Sequence, residues 1–559
     1  MRLITVGVIW GVYGSILISG TRAAPVSPYL IGENSFNADT PGQDADRVWG
    51  KMKEARFKLI RLGGISNNDK TPSVETHARW IDSIRSIGAE PLVQVSSIDP
   101  PATAANLVKA LNIDRKYGIK FWSIGNEPTC VTKTDGTITA RIAANVKERA
   151  LAMKAVDPTI KILFGDECYW KPDLYGPLIG GANDVTGDGM IAGKNVRYVD
   201  GVTFHTYPLP GSSKTDVYTR NDVVFGATAN VRGQFQNCRK AADAADAAHG
   251  RTGADKLSIS LTEFNVTYWN SSDNTPAGVG VRSFVAGQFV AEVFGMGLEY
   301  GALTVAPWSM LESGGDGRGG DLGLFDGTGG IVPRPAYHHI KMIADNMAGD
   351  FLGVTVEKAD LVRAFGTQNG DEAAVLILNE NQTAGFRFIL KFNAAASAGA
   401  TLRALTGWDG EVTDSIPAQS TLLLKVRKPG VVQVRTFYSL DQAAKYLPPT
   451  MKEFPLAIKA PGRSHGAASA VDGPFQIRSG RGEIGGDLVS VGPYQAAAYL
   501  GGSYEVVLMD CAGAVVTAKA GRGTSWSLPV SGLKMGSYVL SLKTGERIRA
   551  RKVVLNSDP

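Results

Sequence analysis

The sequence has few cysteines, only one long apolar run and no concentrated charge of one sign. Its four cysteines are too few for a disulfide scaffold, and none has the spacing of a zinc site. The formal net charge is +5 and the basic residues are dispersed, whereas a nucleic-acid-binding protein needs a concentrated basic face. We therefore expect no nucleic-acid partner, no metal site and no cofactor.

The one long apolar run lies at the N-terminus. Met1 and Arg2 precede an apolar stretch from Leu3 to about Ile18, and small and polar residues follow. This order is typical of a secretory signal peptide, here residues 1–23. An uncleaved anchor is the alternative, although the run is short for a membrane span. We expect a secreted or cell-surface monomer without a membrane span, extracellular or periplasmic in a bacterium.

Length and composition indicate a folded protein of several domains. The 559 residues are too many for one hydrophobic core, so two to four domains are expected. With 44% hydrophobic and 20% charged residues, the composition excludes wholesale disorder.

Short apolar runs alternate with amphipathic stretches over residues 24–346. Such alternation predicts a parallel sheet covered by helices, and eight units fit a (β/α)8 barrel, an α/β fold. A doubly wound open sheet is the alternative, but the glycine-rich phosphate loop that usually follows its first strand is absent. The eight runs are Tyr29–Glu33, Lys58–Gly63, Pro91–Val95, Phe121–Ile124, Ile160–Phe164, Val199–Phe204, Leu257–Leu261 and Ala302–Ala306.

The pattern changes after the predicted barrel. Residues 347–428 alternate apolar and polar side chains in short segments separated by turns, which predicts an antiparallel β-sandwich packed on the barrel. Residues 429–472 contain a Pro-Gly pair and mixed composition, and we interpret them as a linker region. Residues 473–559 are again strand-like and predict a second small β-sandwich, for attachment, sorting or stability.

Two of the barrel runs end in a glutamate. Glu127 follows the fourth run, in Asn126-Glu127-Pro128, and Glu263 follows the seventh, in Thr262-Glu263-Phe264. Barrel enzymes place their chemistry at the carboxyl ends of the strands. Strands four and seven lie on roughly opposite sides of an eight-stranded barrel, so the two carboxylates can face each other across its mouth. A pair of carboxyl groups is the minimum equipment for cleaving a glycosidic bond.

These motifs resemble glycoside hydrolase clan A, nearest to families 39 and 44, with the family open. The resemblance implies that Glu127 is the acid/base and Glu263 the nucleophile of a retaining glycosidase. An attached sandwich is common in those families and in families 30, 51 and 79.

The resemblance extends to five further positions at strand ends. Arg61 is similar to the arginine that keeps the nucleophile ionised, and Asn126 to the residue that binds the sugar 2-hydroxyl. His205 and Tyr207 resemble the clan's His-x-Tyr pair, in which the tyrosine bonds the nucleophile and the histidine contacts substrate or acid. Trp308 resembles the indole floor under the cleaved sugar.

Other polar and aromatic residues carry weaker expectations. Asn34 and Trp170 are interpreted as structural residues, with sugar contacts at outer subsites as the alternative. Asp166 and Glu167 end the fifth run and are interpreted as loop or subsite residues.

Two of the cysteines follow neighbouring strands of the predicted barrel. Cys130 and Cys168 lie in the loops after the fourth and fifth runs, so a disulfide between them is expected. Two buried free thiols are the alternative.

The sequence therefore predicts a secreted enzyme with a carbohydrate substrate. We expect a retaining glycosidase that cleaves β-glycosidic bonds by double displacement. An endo-acting enzyme on a β-1,4-glucan or xylan-type chain is favoured. An exo-acting β-glycosidase and a non-catalytic carbohydrate-binding protein are the alternatives.

Overall fold

A computed structural model describes most of the chain, which divides into two compact units, Met1–Lys459 and Ala460–Pro559. In the first unit the described residues are 10–19, 25–36, 44–131, 138–180, 189–191, 193, 196–209, 218–312, 319–327, 331–357, 361–370, 372–392, 411–427 and 432–455. In the second they are 475–476, 480–484, 487–492, 495–499, 503–510, 515–522, 525–529, 536–544 and 547–555.

Eight parallel strands form a barrel in the first unit. Strands β2 to β9 follow one another in sequence order around the sheet, and a parallel bridge from Ile31 to Val305 joins the last strand to the first. The predicted (β/α)8 fold is confirmed, because each predicted run overlaps or adjoins one strand. The N-terminal strand β1 and the barrel strands are β1 Trp10–Ser19, β2 Gly32–Phe36, β3 Leu59–Gly63, β4 Glu90–Val95, β5 Phe121–Ile124, β6 Lys161–Glu167, β7 Gly201–Thr206, β8 Ser258–Phe264 and β9 Val305–Pro307.

Helices connect the barrel strands. α4 continues into a π-helical turn, Lys109–Asp114, and another such turn, Asp222–Ala227, precedes α8. A 3₁₀ turn, Gly253–Asp255, precedes β8. The helices are α1 Asp44–Glu54, α2 Ser66–Asp69, α3 Val74–Ser86, α4 Pro101–Val108, α5 Pro128–Val131, α6 Ile138–Val156, α7 Pro172–Ile179, α8 Thr228–Ala248, α9 Phe284–Glu299 and α10 Pro335–Asn346.

The barrel strands are buried on both faces, which explains their near-continuous apolar sequences. Inside the barrel, Leu59, Leu92, Phe121 and Leu163 form a small apolar layer near the amino ends of their strands. The polar residues of β3 to β8 follow these apolar positions, toward the carboxyl ends. The sequence of each strand thus fills one end of the barrel with hydrocarbon and lines the other with polar groups.

A nine-stranded sheet follows the barrel, in the order β16-β15-β1-β12-β13-β14-β17-β18-β19. Its strands pair antiparallel except for β1 with β15. Strands β14 and β17 share an apolar core with β15 and β16. The two parts of the sheet therefore pack face to face, as in a β-sandwich. Between the barrel and this sheet lies a short hairpin of β10 Phe325–Asp326 and β11 Val332–Pro333. The remaining elements are β12 Asp350–Glu357, β13 Val362–Asn369, β14 Glu372–Asn379, β15 Gly385–Phe392, β16 Glu411–Ile416, β17 Ser420–Val426, β18 Val432–Ser439, α11 Leu440–Ala444 and β19 Thr450–Pro455.

The linker predicted over residues 429–472 does not begin where the sequence suggested. The strand Val432–Ser439 pairs with β17 over residues 434–439, and Thr450–Pro455 pairs with Val432–Ser439 in turn. The prediction was wrong there because residues 432–439 and 450–455 are paired strands of the same sheet.

Part of the predicted signal peptide forms a strand. Ser15–Ser19 pairs antiparallel with β12, and the same segment pairs parallel with β15. Removal of residues 1–23 would therefore leave edges of β12 and β15 without this partner. Cleavage of the segment on export stays a prediction.

Helix α9 joins the barrel to the nine-stranded sheet. Its residues from Phe284 to Leu298 are all buried, since the barrel lies on one side and the sheet on the other. The Gln288 amide donates to the carbonyls of Asn379 and Ser420 in the sheet, at 3.2 and 3.1 Å. The sandwich is therefore packed directly on the barrel.

The C-terminal unit contains a five-stranded sheet, β20-β28-β27-β24-β25, and a four-stranded sheet, β21-β22-β23-β26. Two mainly antiparallel sheets agree with the predicted second β-domain. No helix in the described part of either unit is long and apolar enough to cross a membrane. The strands are β20 Phe475–Gln476, β21 Gly480–Ile484, β22 Asp487–Gly492, β23 Gln495–Tyr499, β24 Ser503–Asp510, β25 Val515–Arg522, β26 Ser525–Pro529, β27 Gly536–Thr544 and β28 Arg547–Leu555.

Candidate active site

Two glutamates meet at the carboxyl ends of the barrel strands. A carboxylate oxygen of Glu127, a ring nitrogen of His205 and a carboxylate oxygen of Glu263 all lie within 4.8 Å of one another. Retaining glycosidases hold their two carboxyl groups about 5–5.5 Å apart, and inverting enzymes hold them about 6.5–9.5 Å apart. The separation fits the shorter class.

Glu127 lies just beyond the end of β5, in a turn that orients its side chain. Gly125 has a φ of +76° and Glu127 itself has a φ of +45°. A non-glycine residue in this region is strained and persists where its surroundings hold it. The Glu127 amide donates to the Asp166 carbonyl at 2.7 Å, which ties the turn to the next strand. The carboxylate keeps 20% of its surface exposed, enough to meet a substrate.

Glu263 lies near the end of β8 and is held at both oxygens. The Tyr207 hydroxyl donates to Oε1 at 2.6 Å, and the Arg61 guanidinium donates to Oε2 at 3.0 Å. Its side chain is 9% exposed. A carboxylate fixed in this way presents one orientation to an incoming carbon atom, which suits a nucleophile.

Burial raises the pKa of Glu263, and the nearby Glu127 raises it further. His205, Arg61 and the Tyr207 hydroxyl lower that pKa, but burial is the largest influence and the pKa ends above its ordinary value. Arg61 was expected to keep the nucleophile ionised, and its lowering of the Glu263 pKa agrees with that direction. That effect opposes burial without overcoming it.

Arg61 is the centre of the polar network. It is fully buried on β3, because the barrel wall surrounds it. Burial acts to lower the pKa of its guanidinium, but Asp166 and Glu263 raise it and the pKa ends above its ordinary value. The guanidinium donates to the side-chain oxygens of Asn34 at 2.9 Å, Glu263 at 3.0 Å, Gln94 at 3.3 Å, Asn126 at 2.6 Å and Asp166 at 3.3 Å.

His205 lies between the carboxylates. Its Nδ1 is 3.0 Å from Glu127 Oε1 and 3.6 Å from Glu263 Oε2. Its Nε2 is 3.6 Å from Asp166 Oδ1, too long for a direct hydrogen bond but close for an ion pair. Burial lowers the pKa of His205, but Glu263, Asp166 and Glu127 outweigh burial and raise the pKa to about 9. The histidine is therefore a cation at neutral pH.

Asp166 belongs to the polar network of the site, although a loop or subsite position was predicted for it. A β-bulge separates Phe164 from Glu167 in β6, and Gly165 has a φ of +138°. The bulge turns Asp166 into the barrel, whereas regular alternation would not predict its direction. Glu167 stays outside the network and binds the amide and hydroxyl of Thr129 at 2.8 and 2.7 Å.

Trp308 and Glu312 form the wall of the site beyond β9. The indole of Trp308 donates to Glu312 Oε1 at 3.1 Å, and the Leu322 amide donates to the other oxygen at 3.1 Å. Trp308 packs with Tyr207 in a small apolar cluster and is linked to Ser309 by a cis peptide bond. Burial raises the pKa of Glu312 to about 7. Glu312 was absent from the predicted site, because no motif marks it.

Asn34 and Asn126 both orient Arg61. The amide nitrogen of Asn34 donates to the backbone oxygens of Thr262 at 2.9 Å and Pro307 at 3.0 Å, which joins β2 to the far side of the barrel. These contacts assign Asn34 a supporting role. The side-chain oxygen of Asn126 accepts from Arg61, and the residue lies directly before Glu127.

The other predicted residues lie near the site without entering the network. Trp170 stacks on Tyr175 with ring centroids 4.2 Å apart. Cys168 is disulfide-bonded, and the side chain of Cys130 lies outside the described residues, so their pairing stays a prediction. Cys238 is a buried free thiol.

Glu127, His205 and Glu263 are also the described group whose spacing could accommodate a metal ion. The guanidinium of Arg61 already binds Glu263, and a protonated His205 cannot donate an electron pair. The positive charges of Arg61 and His205 would repel a metal ion bound between them. The arrangement therefore suits acid–base chemistry better than metal binding.

A cavity of about 490 Å³ opens at the opposite, amino end of the barrel strands. Six lysine and arginine residues line it, but several are paired. Lys154 and Lys161 bind Asp200 at 2.6 and 3.1 Å, and Arg251 lies 3.4 Å from Asp246. This end of a barrel serves stability in known enzymes. The chemistry is therefore at the other end.

No protein-family model matches the sequence, and a sequence search of curated proteins finds no match. Solved structures do match the fold. AbfB, a family 51 α-L-arabinofuranosidase from Bifidobacterium longum, has a TM-score of 0.55 at 12% identity, over 74% of this chain and 99% of that chain. A GH51 arabinofuranosidase from Xanthomonas axonopodis pv. citri has a TM-score of 0.53 at 13% identity, with the same coverage.

CelM2, a bifunctional glucanase-xylanase from a metagenome library, has a TM-score of 0.52 at 13% identity, over 74% of this chain and 99% of that chain. Identities of this size show a common fold and leave substrate open. The chain has the barrel-and-sandwich fold of the clan A glycoside hydrolases that its motifs resemble.

Proposed function

We propose that the protein is a retaining glycoside hydrolase in which Glu263 is the nucleophile and Glu127 the acid/base. One observation carries this proposal: the carboxylates of Glu263 and Glu127, from distant strands, lie within 4.8 Å of each other. Arg61 and Tyr207 hydrogen-bond to Glu263, and His205 contacts Glu127. Because their partners differ, the two glutamates suit different chemical roles. A buried carboxylate beside a guanidinium suits attack, and a more exposed one suits proton transfer.

In the first half-reaction Glu263 attacks the anomeric carbon while Glu127 donates a proton to the leaving oxygen. The glycosidic C–O bond breaks as the ester bond to Glu263 forms, so the departing sugar leaves as a neutral alcohol. Tyr207 and Arg61 hold the attacking carboxylate in place. They also lower its pKa against the opposing effect of burial.

In the second half-reaction Glu127 acts as a base. It takes a proton from water, and the water oxygen attacks the anomeric carbon and releases Glu263 as a carboxylate. Two inversions at one carbon give net retention. The clan resemblance implies that Asn126 binds the sugar 2-hydroxyl and that Trp308 contacts the apolar face of the ring.

The substrate we favour is a β-1,4-glucan or xylan-type chain cleaved internally. Exposed aromatic side chains follow the strands that carry the site: Tyr169 beyond β6, and Tyr268 and Trp269 beyond β8, with 54%, 57% and 44% of their surface exposed. Flat exposed rings suit the CH-rich faces of successive pyranoses. The glucanase-xylanase CelM2 has the same fold, which is compatible with such a substrate.

Exo-action on a pentofuranoside is the second candidate. Arabinofuranosidases among the structural neighbours are compatible with it, since they have the same fold over nearly their whole length. A non-catalytic carbohydrate-binding role is disfavoured, because binding alone does not need a buried guanidinium on one of two facing carboxylates.

The test of the reaction uses Glu127→Ala, Glu263→Ala and, as a matched control, Glu75→Ala, whose carboxylate lies on the surface of α3. With a panel of aryl glycosides, kcat/KM should fall at least about a thousandfold for Glu263→Ala. Azide should partly restore Glu127→Ala. Glu75→Ala should match the wild type. Site variants with wild-type rates would refute the assignment.

The stereochemical and substrate questions have separate readouts. NMR of the first-formed product should show the anomeric configuration of the substrate, and inversion would exclude the double displacement. On xylan and β-glucan, a fast fall in viscosity relative to new reducing ends would indicate internal cleavage. Release of arabinose or xylose from aryl pentosides without a viscosity change would favour the exo-acting alternative.

We also propose export, on the strength of the apolar N-terminal run. N-terminal sequencing of the protein recovered outside the cytoplasm should begin after residue 23. Recovery of a chain that still contains residues 10–19 would instead favour their role as strand β1.

A further inference from the structure

Asp166 is the most enclosed carboxylate of the site. Only 1% of the residue is exposed, so a substrate cannot reach it. Its Oδ1 accepts hydrogen bonds from the hydroxyls of Thr203 at 2.7 Å and Thr262 at 2.6 Å, and Arg61 donates to Oδ2 at 3.3 Å. Burial acts to raise its pKa, but Arg61, His205 and Thr262 hold the pKa well below its usual range. Asp166 is therefore a fixed negative charge.

This charge lies behind the histidine that contacts the acid/base. The Nε2 of His205 is 3.6 Å from Asp166, and the Nδ1 on the other side of the ring is 3.0 Å from Glu127. The Asp166 carbonyl also accepts the Glu127 amide at 2.7 Å. Three groups from three successive strands, β5, β6 and β7, are thus connected in a row.

We propose that Asp166 is a positioning residue that keeps His205 protonated and aimed at Glu127, so that His205 stabilises the Glu127 carboxylate as it forms during proton transfer to the leaving group. The proposal rests on the proposed function, since it concerns how the same acid/base operates. The imidazolium of His205 stabilises the neighbouring Glu127 carboxylate, and the Asp166 carboxylate on the far side of the ring stabilises the imidazolium.

The chemistry needs no additional reactant. When Glu127 gives its proton to the leaving oxygen, negative charge develops on its carboxylate, 3.0 Å from the Nδ1–H of His205. The histidine keeps its own proton and donates a hydrogen bond that strengthens as the charge grows. The benefit is largest for a poor leaving group such as a sugar alcohol, which needs full protonation. It is smallest for a dinitrophenolate, which leaves without help.

Four charged groups face His205, each from a different strand or strand end of the barrel. Glu127, Asp166 and Glu263 favour the imidazolium, whereas Arg61 and burial disfavour it. Glu127 and Glu263 both change during the reaction, since one loses a proton and the other becomes an ester. Asp166 is the acidic member of the set that keeps its charge throughout.

The test compares Asp166→Asn with the wild type on aryl glycosides of graded leaving-group pKa. Asparagine has nearly the same shape and can still accept from Thr203 and Thr262. We expect a fall in kcat/KM of about a hundredfold for the poorest leaving groups, a typical size for general acid catalysis, and less than about tenfold for dinitrophenyl glycosides.

A direct measurement keeps the proposal testable if the variant is weakly active. The chain has six histidines, so an NMR titration of isotopically labelled imidazoles can follow His205. Asp166→Asn should lower the pKa of His205 by at least about one unit. Thr262→Val removes a hydrogen bond from Asp166 but keeps the carboxylate, and it should leave His205 protonated at neutral pH. Asp114→Asn, on the exposed end of the turn after α4, is the surface control.

The outcomes separate this inference from the proposed function. If Glu127→Ala and Glu263→Ala are inactive while Asp166→Asn loses activity equally for all leaving groups and leaves the pKa of His205 unchanged, Asp166 is only structural and the inference is overturned. If the two glutamate variants retain full activity, the proposed function itself fails.

Discussion

At the scale of single residues, the candidate site is an arrangement of opposite charges around one guanidinium. Arg61 binds oxygens from five side chains, which no lysine could reach from one nitrogen. Because Arg61 is fully buried, water cannot replace any contact that is lost. The orientation of the nucleophile therefore depends on the shape of this side chain as well as on its charge.

Replacing Arg61 with lysine tests this dependence. The ammonium keeps the charge but cannot hold both Glu263 and its other partners, so we expect kcat/KM to fall about a hundredfold. Arg61 lowers the pKa of Glu263, so weakening this contact raises that pKa. The acidic limb of the pH profile should then move to higher pH. Arg85→Lys, at the surface pair with Glu90, is the control and should leave kcat/KM and the limb unchanged.

Residue patterns marked Glu127 and Glu263, because strand-end positions and short motifs are visible in a linear sequence, and the clan resemblance added Arg61. Asp166 was misassigned and Glu312 was missed. The direction of Asp166 depends on a β-bulge at Gly165, and the position of Glu312 depends on the loop that folds back from Trp308. Neither feature has a local periodicity that could have revealed it.

At the scale of elements, α9 is a helix without a polar face, and it is buried between the barrel and the nine-stranded sheet. Its apolar residues around the whole circumference indicate burial on all sides. The glycines of this helix allow neighbours to approach: a Cβ added at Gly295 would meet the ring of Phe365 in β13. By contrast, Gly50 in α1 and Gly233 in α8 have open space at the same position.

These glycines give a matched set of substitutions. Gly295→Ala should destabilise the protein by about 1–3 kcal/mol, because the new methyl group overpacks the joint between barrel and sheet. Gly50→Ala and Gly233→Ala should be neutral or stabilising by up to about 1 kcal/mol, since alanine favours helix. Chemical denaturation of the three variants would measure this. A destabilisation shared by all three would contradict the packing argument.

At the scale of the whole first unit, barrel and sandwich are joined through buried polar contacts as well as apolar ones. His339 of α10 accepts or donates at both ring nitrogens, 2.8 Å from the Pro335 carbonyl and 2.8 Å from the Thr421 hydroxyl of β17. Phe284 and Tyr438 cover the ring. The histidine therefore lies in the joint without access to water.

This burial makes the joint sensitive to acid. Burial lowers the pKa of His339 from 6.5 to about 3, so the folded protein holds the ring neutral. Its contribution to stability is complete above about pH 6.5 and is lost progressively as pH falls toward 3, at up to about 1.4 kcal/mol per pH unit. The difference in unfolding free energy between wild type and His339→Gln should shrink from pH 7 to pH 5. A difference that stays constant between pH 7 and pH 5 would contradict this account of His339.

The sequence by itself determined the alternation of strands and helices, the identity of the two strand-end glutamates and the change to β-structure after the barrel. These features follow from local periodicity and from the residues that end each strand. Only the tertiary structure decided which groups surround those glutamates, where the nine-stranded sheet ends and which elements bury α9. Such contacts join residues that are hundreds of positions apart, and the bulge that brings Asp166 into the network has no signature along the chain.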